Sequence, residues 1–163
     1  MFKKLLGVKK KSEVVFAPLS GKIVDIEKVP DPVFSDKLVG DGVAIIPDQG
    51  IVVSPVEGEV TQVFHTLHAI GVKSNQGLEI MIHIGLETVN LKGEGFNLHV
   101  KQGQKVHPGD KLLTFDIDKI KNKVPSLITP VIVLEGSAIA KLEKNVGTTA
   151  IPGSTTIFEI TYQ

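Results

Sequence analysis

From Glu13 onward, Gly, Pro, Asn and Asp interrupt the chain every few residues, leaving only short strand-like runs between them. These runs lie at 14–17, 22–29, 42–46, 51–54, 59–64, 68–73, 78–84, 111–116, 131–134 and 156–161. Strands so closely spaced, each bounded by turn residues, belong to a sandwich or barrel rather than to a helical or α/β fold. The chain is therefore expected to be all-β, an antiparallel β-sandwich with short helical turns. One helical turn is expected at 116–122 and a second at 33–37.

The chain has 163 residues, enough for one domain with a sizeable core. Eighteen basic and eighteen acidic residues cancel, so the electrostatic footprint needed to hold a phosphate polymer is missing and nucleic-acid binding is not expected. No run approaches the roughly 20 apolar residues of a membrane span, and no apolar secretory segment follows the N-terminus. With no Cys, disulfide and thiolate chemistry are excluded. The expectation is a cytoplasmic protein with one domain at 13–163 behind a leader at 1–12. That leader carries Lys3, Lys4, Lys9, Lys10 and Lys11, with Phe2, Leu5 and Leu6 at helical spacing. A solvated chain end is the plainer reading. The alternative is a basic amphipathic helix that touches an anionic membrane surface.

A weak internal repeat is visible. Ala17-Pro-Leu-Ser-Gly-Lys-Ile-Val-Asp-Ile matches Ser54-Pro-Val-Glu-Gly-Glu-Val-Thr-Gln-Val, with Pro and Gly at the same offsets before an alternating strand. Pro-x-x-Gly is a common turn, but two similar hairpin units packed on each other would also produce it.

The richest stretch is 68–85. In Leu78-Glu-Ile-Met-Ile-His-Ile, period-two alternation puts Leu78, Ile80, Ile82 and Ile84 on one face and Glu79, Met81 and His83 on the other. The aliphatic face must be buried, so His83 points outward, from a shallow depression. Ser74-Asn75-Gln76-Gly77 reads as the preceding turn. With Asn75 and Gln76 as a two-residue loop, Lys73 faces Leu78, Ile70 faces Met81 and His68 faces His83. Two imidazoles so opposed can bind a metal, or one can act as nucleophile while the other donates a hydrogen bond. Register decides this, since a one-residue slip reverses the faces. His65 has the wrong parity, and His99 and His107 sit in polar, turn-like surroundings. Neither a Ser–His–Asp set nor a Gly-rich phosphate loop before a helix is present.

The segment His83-Ile-Gly-Leu-Glu-Thr-Val-Asn-Leu-Lys-Gly-Glu-Gly-Phe96 resembles the active-site segment of the glucose-family enzyme IIA of the bacterial phosphotransferase system. Ala17-Pro-Leu-Ser-Gly, Val29-Pro-Asp-Pro-Val-Phe34, Val39-Gly-Asp-Gly42 and His68-Ala69 match other segments in the family's order, and the likeness runs from Val14 to the C-terminus. The resemblance implies a β-sandwich that relays a phosphoryl group. The phosphohistidine carrier HPr would donate to it, and a IIB domain of a sugar permease would receive from it. Regulated transporters or kinases are further partners of some members. By position, His83 would be phosphorylated, His68 would stabilise the phosphoryl group, and Thr66 would hydrogen-bond to that second histidine. Asp31, Phe34 and Glu87 match positions around the docking surface. Met81 and Ile70 stand where relatives have Phe, and Glu87 where they have Asp.

A neutral imidazole suits this role, because it is nucleophilic near pH 7 and forms a labile phosphoramidate. An apolar rim of Phe34, Ile70 and Met81 would let a partner exclude water, and the site should be exposed and shallow. No cofactor is expected. Two imidazoles fill only half of a tetrahedral zinc site, so zinc at His68 and His83 would be weak or shared between partners. Two other readings fit less well. The segment 100–112 has the spacing of lipoyl- and biotinyl-type domains, yet no lysine sits at a tight hairpin tip in their setting. A zinc metallopeptidase using His65, His68 and His83 would want a His-x-His pair, which is missing.

Overall fold

A computed structural model describes residues 11–136 and 138–163. The strands are β1 (Ser12–Phe16), β2 (Gly21–Asp25), β3 (Gly40–Pro47), β4 (Ile51–Val53), β5 (Gly58–Val63), β6 (Ala69–Ser74), β7 (Glu79–His83), β8 (Phe96–Leu98), β9 (Lys105–Val106), β10 (Lys111–Phe115), β11 (Thr129–Leu134), β12 (Ile139–Lys144), β13 (Thr149–Ala150) and β14 (Thr156–Tyr162). They form an eight-stranded sheet in the order β13-β2-β3-β11-β7-β6-β5-β9 and two three-stranded sheets, β1-β14-β12 and β4-β10-β8. Every pairing within them is antiparallel. The inner faces of all three meet in one apolar cluster that includes Val15, Ile23, Ile82, Leu113, Val131 and Phe158. The architecture is the antiparallel β-sandwich expected from the spacing of the runs.

Two single-turn helices, α1 (Pro32–Ser35) and α2 (Ile117–Ile120), fall where helical turns were expected. Each starts on an aspartate, Asp31 or Asp116, whose carboxylate accepts a backbone N–H of the first turn. The expected strand at 22–29 ends early. Asp25 accepts the N–H of Glu27, and the chain turns into a 3-10 segment at Ile26–Lys28. Strands β8, β9 and β13 are two or three residues long, and β12 mixes charged with apolar residues without strict alternation; none of the four is expected from the sequence. Of the leader expected at 1–12, residues 1–10 lie outside the described residues, and Ser12 already opens β1. Among the described residues, no helix is long and apolar enough to cross a membrane.

The repeat has a structural basis. Phe16 N–H donates to the Pro55 carbonyl at 2.9 Å and Val53 N–H to the Pro18 carbonyl at 2.8 Å, so the two Pro-x-x-Gly segments exchange equivalent bonds. Ala17 and Ser54 likewise donate to Thr155 and Asp110, each at 2.8 Å. The glycines are required by close approach: a Cβ would lie 1.9 Å from the Ile46 carbonyl at Gly21 and 1.9 Å from the Lys73 carbonyl at Gly58. The repeated units are thus β2–β3 and β5–β6, related by a two-fold axis between β11 and β7.

A second, smaller cluster lies on the outer face of the large sheet. Ile26, Val29 and Phe34 from the β2–β3 connection cover Ala44 of β3 and Ile132 of β11, with Leu86 and Ile128 at the border. This cover forms one wall of the candidate site.

Candidate functional site

The site grows from the β6–β7 hairpin. On β7 the alternation holds: Ile80 and Ile82 are fully buried, while Met81 and His83 are half-buried on the outer face. The register does not follow the expected pairing. Lys73 faces Glu79, Ile70 faces Ile82 and Ala69 faces His83. The loop has three residues, Asn75, Gln76 and Gly77, because Gly77 takes a left-handed φ of 96° and adds a position to the turn.

That slip corrects two expectations. Ile70 does not face Met81 and is no part of an apolar rim; it is fully buried in the main core. His68 is not paired with His83 across the strands either. The imidazoles nevertheless meet, with ring centroids 5.0 Å apart at 78°. The backbone explains it. Leu67 has a φ of 59°, its N–H closes a turn onto the Phe64 carbonyl, and β6 begins only at Ala69. His68 therefore escapes strand parity, while its carbonyl accepts the Ile84 N–H at 2.7 Å.

Phe34 was expected on an exposed rim and is buried, with 5% of its surface accessible. Helix α1 lies back on the sheet, so Phe34 turns inward and its ring sits 5.0 Å from that of His83. Its neighbour Val33 is exposed, as is Val89 in the 3-10 turn Thr88–Leu91. Phe64, overlooked in the sequence, packs 5.3 Å from the His68 ring. Phe34, His83, His68 and Phe64 thus form a row of four rings. Asp31 caps α1, and its charge reaches His83. Glu87 is exposed in a left-handed conformation just after β7. His65, His99 and His107 are exposed.

Each histidine has one committed nitrogen. His83 Nδ1 lies 2.8 Å from the Gly85 carbonyl, which can only accept, so the proton resides on Nδ1 and Nε2 keeps its lone pair. His68 Nδ1 lies 2.6 Å from Thr66 Oγ1. If the hydroxyl donates, His68 carries its proton on Nε2. Burial pushes the His68 pKa down to about 4, helped by the nearby His83 and His65. Burial also lowers that of His83, against the Gly85 carbonyl and Asp31, which raise it. Both rings are neutral at pH 7. Among the described residues, no group of three or more His, Cys, Asp or Glu side chains is placed to hold a metal ion.

Neutral burial has a cost in acid. A histidine whose pKa is lower folded than unfolded takes up protons preferentially in the unfolded chain, so stability is lost as pH falls from about 6.5 toward 4. At about 1.4 kcal/mol per unit, His68 contributes at most roughly 3 kcal/mol of this loss. Urea unfolding at pH 7 and pH 5 should show the drop, and His68→Gln should flatten it. An equal drop in that variant would place the titration elsewhere.

Fold and site together define an antiparallel β-sandwich protein with a paired-histidine site walled by aromatic rings. The family described as "phosphoenolpyruvate-dependent sugar phosphotransferase system, EIIA 1" matches over residues 13–139. Over 163 residues, the chain is 52% identical to the PTS system glucose-specific EIIA component of Bacillus anthracis, covering 99% of both chains. It is 50% identical to the protein of that name from Halalkalibacterium halodurans, covering 100% of this chain and 99% of that one. Among solved structures, glucose permease IIA from Mycoplasma capricolum superposes with a TM-score of 0.82 at 38% identity, covering 91% of this chain and 96% of that one. The chain belongs to the EIIA family of the phosphoenolpyruvate-dependent sugar phosphotransferase system, and its role lies in that system.

Proposed function

We propose that the protein is a histidine phosphoryl carrier: His83 accepts a phosphoryl group from phospho-HPr on Nε2 and passes it to a IIB domain of a sugar permease. The observation that carries this reading is the commitment of both Nδ1 atoms, His83 to Gly85 and His68 to Thr66, which leaves each Nε2 for the phosphoryl group. In-line phosphoryl transfer asks a protein mainly for positioning and for stabilisation of charge on the equatorial oxygens. His83 supplies the lone pair. His68, held by Thr66 with its proton on Nε2, donates to a phosphoryl oxygen.

The partner surface follows from the corrected rim. Val33, next to Phe34 in α1, and Val89, in the turn after β7, are exposed and Met81 is half-buried, while Asp31 and Glu87 add acidic charge that suits a basic partner. Regulated transporters or kinases would meet the same face. The carrier unit is proposed to span 13–163, to work in the cytoplasm and to need no cofactor. Zinc at His68 and His83 would be weak. Since the relatives' names specify glucose, a glucose permease is the first partner to try.

The test is incubation with enzyme I, HPr and labelled phosphoenolpyruvate, followed by a panel of IIB domains. One acid-labile phosphoryl group per chain is expected, with none from ATP alone. Absence of label with the complete donor system would sink the proposal.

A further inference from the structure

We propose that Thr88 is a positioning residue for the phosphoacceptor: through the turn after β7 it keeps the proton on His83 Nδ1, and so keeps Nε2 as the nitrogen that takes the phosphoryl group. The inference rests on the carrier reading above and adds a residue to it.

Thr88 is fully buried at the start of the 3-10 turn Thr88–Leu91, and its hydroxyl donates to the Ile84 carbonyl at 2.5 Å. The peptide after Gly85 is held separately, by Leu86 N–H donating to the Ser126 carbonyl at 2.9 Å. In a trans peptide the C=O and N–H point in opposite directions. A Leu86 N–H turned to Ser126 therefore sends the Gly85 carbonyl back toward His83, where Nδ1 lies 2.8 Å away. Gly85 itself, at a φ of 70°, imposes nothing, because glycine crosses this region freely. Its orientation comes from the two bonds on either side.

Thr88 controls the first of these. Its methyl also fills the space beneath Gly85, since a Cβ added there would come within 2.8 Å of Thr88 Cγ2. Without the hydroxyl, the buried Ile84 carbonyl loses its partner and the Ile84–Gly85 peptide gains freedom to rotate. The Gly85 carbonyl, then fixed on one side only, through Leu86 and Ser126, shifts relative to Nδ1, and His83 populates both neutral tautomers.

The consequence for transfer is direct. In the productive ring, the Nε2 lone pair forms the new P–N bond while the electrons of the donor's P–N bond return to the donor nitrogen. The Nδ1 proton stays in place, and the Gly85 carbonyl stabilises the positive charge that the ring acquires. A ring protonated on Nε2 has no lone pair there, and offers Nδ1, on the side of the loop, instead.

The experiment compares wild type, Thr88→Val, which keeps the shape and drops the hydroxyl, and Thr88→Ser, which keeps the hydroxyl. Nitrogen-15 shifts of the His83 ring in the unphosphorylated protein at neutral pH report the tautomer without any donor. Phosphorylation by phospho-HPr then gives the rate and the phosphohistidine isomer. We expect a single Nδ1–H tautomer in wild type, and a mixture in Thr88→Val with transfer slowed about tenfold, the usual effect of one hydrogen bond. Thr88→Ser should restore both. If Thr88→Val does not fold, Thr88→Ala, smaller and likewise without the hydroxyl, takes its place. An unmixed Nδ1–H tautomer with wild-type rate in a folded variant lacking the hydroxyl overturns the proposal. A wild type with the expected tautomer that accepts no phosphoryl group overturns the carrier reading instead.

Discussion

His83→Ala is expected to accept no phosphoryl group at all, whereas His68→Ala should still be labelled, at a rate lower by on the order of a hundredfold or more. The two rings are equivalent in kind but not in setting. His83 is half-buried, and its Nε2 is the free lone pair. His68 is 7% exposed, and with the Thr66 hydroxyl donating to its Nδ1 its Nε2 would be the donor. One preorganised donor to developing oxyanion charge is typically worth about 2.7–4 kcal/mol, which sets the size of the loss. Quenched-flow transfer from HPr and to a IIB domain measures both directions. Wild-type rates for His68→Ala would separate the two rings functionally, and label retained by His83→Ala would remove it as acceptor.

Phe34→Ala is expected to lower stability by about 3–5 kcal/mol, the usual cost of emptying a buried aromatic site. For a chain of this size that corresponds to a fall in Tm of roughly 10 °C. Its ring fills the outer cluster and braces the His83 imidazole, so transfer should slow as well, even at temperatures where the variant is folded. Val33→Ala makes the contrast, because Val33 is 44% exposed and its loss should leave Tm within a degree or two while weakening partner docking. Thermal unfolding of both variants is decisive: an unchanged Tm for Phe34→Ala would mean that the cluster does not depend on that ring.

What the sequence conveyed well was the two-sidedness of β7, because a run of four aliphatics at period two has only one way to be buried. It conveyed the register badly. Ser74-Asn75-Gln76-Gly77 reads as a two-residue turn when Gly77 is given to the strand, yet glycine is the residue that takes the left-handed third position of a three-residue loop, as it does here. Ile70 was misplaced for that reason. The meeting of the two imidazoles was anticipated by an argument that does not hold; the turn at Leu67 brings it about. Phe34 was misplaced because a single-turn helix has no periodicity from which to read its inner face. The Gly85 carbonyl and the buried Thr88 hydroxyl left no trace, since a main-chain acceptor looks the same at every position.

The doubled architecture carries a final consequence. Strands β11 and β7 meet with Val131 opposite Ile82, and the next residue toward the C-terminus of each strand is Ile132 or His83. These two positions are counterparts under the internal symmetry. One is sealed beneath the outer cluster and the other is left open. The lid on the sealed position reaches across the axis, because Phe34 belongs to the cluster over Ile132 and also touches His83. The half without the histidine pair therefore supplies a wall for the half that carries it. Anyone engineering a hardier variant by repacking that lid would be altering the setting of His83, the proposed acceptor, in the same stroke.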